Sequence, residues 1–186
     1  MRLGLKGISM LQNIRKRIKH EHDVYAFLSS TGTDYKGRTY TEIINQDDVW
    51  LERTHDYIQC IFPTDEPSAY VPSPIVSIDE AKNMAANPAV INSLRDGLRR
   101  MHKFYEKNDH WLTPENHNYK RISRILRCLT IFGLREDVQE FFEFAKIRLL
   151  SVPDEKIAKG KVGTISIGAA KKQLTIEYWK EKMRGV

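Results

Sequence analysis

The chain has 186 residues, of which 41% are hydrophobic and 29% charged, with two cysteines and a formal net charge of +6. That length favours one domain with a sizeable core, and the composition excludes a disordered, collagen-like or disulfide-stapled chain. No apolar run is long enough for a membrane-spanning helix, and the basic balance allows binding to nucleic acid or an acidic surface without establishing it.

The pattern divides the sequence into a basic segment, 1–22, and one helical domain, 23–186. In the first, Ile8, Leu11, Ile14 and Ile18 fall at helical spacing, with Arg15, Lys16, Arg17 and Lys19 between them. This predicts a short basic amphipathic helix that packs on the domain or meets a membrane surface or partner. It lacks a continuous apolar stretch, so it is not a secretory signal. Residues 24–28 add one or two helical turns, and 29–39, with Gly32 and Gly37, read as a loop. Thr39 or Thr41 then caps a short helix through Ile43 and Ile44.

Asp47 or Asp48 opens a longer helix. Its Leu51, His55, Ile58 and Phe62 lie at i, i+4, i+7 and i+11, which puts His55 on the apolar stripe. An imidazole there is either a buried neutral side chain or a group that touches ligand or moves a proton. Neither HExxH nor CxxC is present, so no metal is expected. Phe62-Pro63 ends the helix. Pro63, Pro67, Pro72 and Pro74 then exclude helix and interior strand, leaving an extended connection that Tyr70 packs down.

Ser77 and Glu80 form a capping box before a short helix, and Asn87-Pro88 starts a longer one. Val90, Ile91, Leu94, Leu98, Met101, Phe104 and Tyr105 make its apolar stripe, and Gly97 on that stripe predicts a close helix–helix contact. Arg95, Arg99, Arg100 and Lys103 take its polar side. Trp111, in the following loop, is placed to staple onto the next helix.

That next helix is the best defined. Thr113 is its expected N-cap and Pro114 its first residue; Tyr119, Ile122, Ile125, Leu126, Leu129 and Phe132 share one face. Gly133 suits the left-handed position past its end, with Leu134 making the accompanying contact. Lys120, Arg124 and Arg127, with Arg121 beside them, form either a solvated face or an anion-binding one. Asn116, His117 and Asn118 stand in the first turn, where free N–H groups favour anions. Another amphipathic helix holds Val138, Phe141, Phe142, Ala145 and Leu149 and closes near Pro153. Residues 160–168 are a short extended piece or an irregular link. Ile176, Tyr178, Trp179 and Met183 predict a C-terminal helix. Cys60 and Cys128 fall in predicted helices, so both are expected reduced, in a cytoplasmic setting. The expected fold is therefore all-α, a single-domain multi-helix bundle with a proline-rich loop.

Two stretches carry a family resemblance. Leu51-Glu52-Arg53-Thr54-His55-Asp56-Tyr57-Ile58-Gln59-Cys60-Ile61-Phe62-Pro63, followed by Glu66-Pro67-Ser68, resembles one signature of the opioid growth factor receptor conserved domain. Trp111-Leu112-Thr113-Pro114-Glu115-Asn116-His117-Asn118, with Arg121-Ile122-Ser123-Arg124-Ile125-Leu126 and Phe132-Gly133-Leu134, resembles the second. The likeness runs over about 24–179 and is greatest to the short bacterial members, which end much as Thr175-Ile176-Glu177-Tyr178-Trp179 does here. Cys60 stands where the family pattern has a tryptophan. The resemblance implies a helical domain; in animals the family takes its name from binding the enkephalin pentapeptide at the nuclear envelope.

Three functional readings follow. The first is a binding module for a peptide, metabolite or protein, with His55, Asp56, Gln59, Asn116, His117, Asn118 and Arg121 as ligand-binding residues in a recess shared by the two signature helices. The second is nucleic-acid binding through Arg95, Arg99, Lys120, Arg124 and Arg127, although no helix-turn-helix or RNA-binding motif is present. The third is a hydrolase or transferase using His55 or His117 as acid or base, with Asn116 or Asn118 as donors. No catalytic residue, metal ligand or cofactor is assigned.

Overall fold

The computed structural model describes residues 23–70 and 73–185. The helix expected over residues 8–18 lies outside the described residues, as does Pro72. Among the described residues the architecture is an all-α multi-helix domain with one small hairpin. Its helices are α1 Val24–Leu28, α2 Tyr40–Ile44, α3 Asp48–Arg53, α4 Ile58–Ile61, α5 Ile78–Ala85, α6 Pro88–Lys107, α7 Asn118–Ile131, α8 Arg135–Ser151, α9 Asp154–Ile157 and α10 Ile167–Lys182. Strands β1 Lys161–Val162 and β2 Ile165–Ser166 pair antiparallel between α9 and α10, with Gly163 turning between them at φ 62°.

Side-chain caps start most of these helices. Thr39 with Glu42, and Ser77 with Glu80, are reciprocal capping boxes. Asp47 caps α3 and Asn87 caps α6, whose first residue is Pro88. At the far end of α7, Gly133 takes φ 77°, its N–H reaches Thr130 O at 3.0 Å, and the Leu134 N–H reaches Leu129 O at 2.9 Å. These two bonds satisfy carbonyls that the helix end leaves free.

Helix α7 is the central post. Ile122, Ile125, Leu126 and Leu129 are fully buried on it, and α8 and α10 pack alongside. Burying each such side chain contributes ~1.5–3 kcal/mol before the ordering cost. Trp179 of α10 is buried and donates its indole N–H to Tyr119 O at 3.0 Å. On the other side α6 meets α1, α2 and α5. The expected close approach at Gly97 is present: a Cβ there would lie 2.5 Å from the Tyr40 hydroxyl oxygen and 2.7 Å from Ile61 Cγ2. Both cysteines are free and buried. Burial pushes the Cys60 thiol up to about 12 and raises that of Cys128 as well, which keeps both unreactive. No helix among the described residues is long and apolar enough to cross a membrane.

Three expectations are corrected. Residues 48–62 are not one helix. The chain extends at Thr54 (ψ 127°), so His55 lies in a break between α3 and α4 rather than on a continuous stripe. The physical reason is Arg121, whose Nη2 takes the carbonyls of Thr54 at 2.8 Å and Glu52 at 3.3 Å, turning them away from the helix path. Helix α7 begins at Asn118, not at Thr113-Pro114. Glu115 adopts φ 55°, which no helix admits, and the Thr113 hydroxyl donates to His110 O at 3.1 Å instead of capping. Finally, the basic side of α7 is largely turned to protein, as its contacts below make plain.

Candidate functional site

Glu52, near the end of α3, is the centre of a polar recess at the head of α7. Its Oε2 accepts from Asn118 Nδ2 at 3.0 Å and lies 3.0 Å from His110 Nε2, while Arg121 Nη1 stands 3.8 Å away. Its Oε1 lies 3.4 Å from His117 Nε2. Burial pushes this carboxyl up, but hydrogen bonds from Asn118 and His110 and the nearness of His117 outweigh it, so Glu52 stays ionised below the usual glutamate value.

Asn118 is fully buried and completely used. Its two amide hydrogens go to Glu52 and to Asn116 Oδ1, each at 3.0 Å, and its Oδ1 accepts from Tyr105 at 3.3 Å and Arg121 at 3.2 Å. Asn116 Oδ1 also accepts the Asn118 backbone N–H at 2.9 Å, a local side-chain cap at the true helix start. His117 Nε2 stands 3.4 Å from both Glu52 Oε1 and Asn118 Nδ2. Burial, then Arg121, hold His117 below the ordinary histidine value despite Glu52, so the ring is neutral at physiological pH.

Arg121 supports the recess from below. It is 5% exposed and lies over the Tyr57 ring at 5.5 Å. Besides the two carbonyls and Asn118, it approaches His55 Nδ1 at 3.4 Å. The edge-on contact between His55 and His117 is 4.9 Å between ring centres, and Tyr70 from the proline-rich loop stacks on His55 at 5.8 Å and 8°. The expected packing role of Tyr70 therefore falls on the recess itself. Trp111 is buried beneath, its indole N–H on Tyr105 O at 3.1 Å, and meets Tyr119 edge-on.

Five of the seven expected residues thus converge: His55, Asn116, His117, Asn118 and Arg121. Two do not. Asp56 faces away and pairs with Lys36 and Arg38, the latter at 3.0 Å. Gln59 is 4% exposed, and its Nε2 donates to His55 O at 3.1 Å and Ser68 Oγ at 3.3 Å, so its amide holds the backbone of the break and the proline-rich loop. Glu52, His110 and Tyr70 were not foreseen. Glu52 sits within the first signature and could have been found as its only acid within four residues before His55. His110 and Tyr70 are loop residues with no periodic signal.

The basic side of α7 is neither solvated nor free for a large anion. Arg124 Nε donates to Phe62 O at 3.0 Å, and Arg127 Nε to Asp65 Oδ1 at 2.8 Å, so both pin the start of the proline-rich loop. Arg95 pairs with Asp137 at 3.1 Å and Arg99 with Asp96. Lys120 alone of the five nucleic-acid candidates has no partner of this kind and is exposed. A groove of about 470 Å³, lined among others by Lys82, Phe132, Arg135 and Met183, lies at the opposite end of α7 and includes none of the recess residues. At ~1.5 Å per residue, the 14-residue helix separates the two by roughly 20 Å.

Among the described residues no group of three or more His, Cys, Asp or Glu side chains is arranged to hold a metal ion. No protein-family model matches the chain, and no curated protein or solved structure matches it.

Proposed function

We propose that the chain is an opioid growth factor receptor-like helical domain that serves as a ligand- or partner-binding module, with the Glu52 recess as its binding site. The observation that carries this reading is convergence: residues from two stretches more than fifty positions apart, His55 in one and His117, Asn118 and Arg121 in the other, surround one ionised carboxylate. The floor, Asn118 and Arg121, is fixed by its own hydrogen bonds, so a ligand meets preordered groups. The rim of half-buried imidazoles and the exposed Tyr70 ring supplies polar tips on apolar surfaces, which suits a short peptide or a polar metabolite.

The test is a thermal-shift screen with short peptides, the enkephalin pentapeptide among them, and polar metabolites. A ligand at a hundred times its Kd adds about 2.7 kcal/mol of stability. A true occupant stabilises the native chain and the Arg135→Ala variant, but not His117→Ala. Equal stabilisation of all three would place the binding elsewhere. Nucleic-acid binding has less support, because Arg124 and Arg127 are engaged within the fold and Arg95 and Arg99 already stand in surface ion pairs.

A further inference from the structure

We propose that the groove at the far end of α7 is a second binding site, independent of the recess, and that it takes a small organic acid: a carboxylate carried on an apolar body.

Packing builds the space. At Gly133, φ 77°, the chain leaves α7, and it re-enters a helix two residues later at Arg135. The end of α5 and the segment that follows α10 flank this corner, and between them about 470 Å³ stays unfilled. That volume lies in the range of small-molecule sites. The base is made by Ile131, Phe132 and Val138, all buried. Met183 forms one wall, in a segment held on both sides: Lys182 pairs with Glu66 at 2.7 Å, and Arg127 Nη1 donates to Arg184 O at 3.2 Å. Gly133 puts no side chain into the space, where an added Cβ would meet nothing within 4 Å.

Charge selects the occupant. The charged side chains lining the groove are Lys82 and Arg135, and no acid lines it. Both are exposed, and neither meets a carboxylate among the described residues. Most other described arginines do: Arg38 has Asp34 and Asp56, Arg95 has Asp137, Arg100 has Asp48 and Arg127 has Asp65. The acids that follow Arg135 in sequence do not serve it. Asp137 is engaged by Arg95, and Glu136 does not line the groove. Arg135 is also the first residue of α8, where the positive end of the helix dipole disfavours a bare cation. An anion in the groove relieves that repulsion. An inorganic anion would leave the apolar base wet, and a plain hydrocarbon would leave both cations unmet. A molecule with a carboxylate at one end and an apolar body at the other uses the whole surface.

The test titrates the isotope-labelled chain with acetate, hexanoate and decanoate, and with decylamine as the chain-matched cation, followed by NMR. The expected result is a saturable shift of the Gly133 and Gln139 amide resonances with hexanoate and decanoate, affinity rising with chain length, and little response to acetate or decylamine. The double variant Lys82→Gln, Arg135→Gln should bind decanoate about tenfold more weakly, the combined loss of two exposed charge contacts. Both side chains are exposed, so the fold of that variant should persist, and its urea midpoint checks this. His117→Ala should bind decanoate as the native chain does, which separates this result from the recess. Decylamine binding as tightly as decanoate, or decanoate binding unchanged in the double variant, would mean adsorption to apolar surface and overturn the proposal. So would loss of decanoate binding in His117→Ala, or the absence of a saturable shift at Gly133 and Gln139 with every acid in the series.

Discussion

Arg121 shows how one side chain sets both a fold and a site. Its guanidinium, 5% exposed, holds the carbonyls of Glu52 and Thr54, the Asn118 side chain and the near approach of His55. Removing it would take a donor from the Glu52 and Thr54 carbonyls and from Asn118 Oδ1, each costing ~1–3 kcal/mol where it is left unpaired. Arg121→Met is therefore expected to lower unfolding free energy by about 3 kcal/mol, read from the urea midpoint at unchanged slope. Arg121→Lys should recover little, because an ammonium cannot reproduce the planar fork that spans these acceptors. The Glu52–Asn118 pair sorts differently. Glu52→Gln keeps the shape but removes the charge, so its effect should fall chiefly on ligand affinity, measured against the same probe as His117→Ala.

At the scale of elements, four helix starts were legible because a short polar side chain acts on its own backbone. Thr39, Asp47, Ser77 and Asn87 do so, and each was readable within four residues of sequence. The misread boundaries have other causes, one distant and one local. Residues 48–62 have an unbroken helical stripe, yet Arg121, 67 positions from Thr54, takes the carbonyls a helix would need. Thr113-Pro114 has the right chemistry for a cap, but Asn116 and Trp111 fix the turn so that the helix waits until Asn118. Two mutations separate these roles. Asn116→Ala removes the side chain that caps Asn118 and should cost about 1 kcal/mol, while Thr113→Ala should cost less, since its exposed hydroxyl caps nothing. Gly97→Ala tests the helix approach that was legible: a Cβ driven against Tyr40 and Ile61 should destabilise by about 1–3 kcal/mol.

For the whole molecule, the same charges that build the recess set a window of stability against pH. His117 has an ordinary value of 6.5 and is held below it by burial and Arg121. The unfolded chain therefore takes up this proton first, so the contribution is complete above 6.5 and is lost as pH falls from there toward the folded value. The carboxyls of Asp48, Glu52, Asp56 and Asp65 are also held below their ordinary values by their cationic and hydrogen-bonding partners. Their contribution is present above the unfolded value and disappears as pH falls through the folded one, which places it at still lower pH. On the alkaline side, burial pushes Tyr57 up to about 12 from 10.0. A neutral acid of this kind stabilises the fold below its unfolded value and loses that contribution as pH rises through 10.0 toward 12. Urea unfolding as a function of pH should thus show a plateau between 6.5 and 9.0, where the thiols of Cys60 and Cys128 begin to ionise in the unfolded chain, with an acid side that falls in two stages. His117→Gln should erase the upper acid stage and leave most of the lower one, because Asp48, Asp56 and Asp65 keep their partners Arg100, Lys36, Arg38 and Arg127 and only Glu52 loses a neighbour that lowers it. A profile for that variant with its upper stage intact would mean that some other group, and not His117, links this fold to protons in that range.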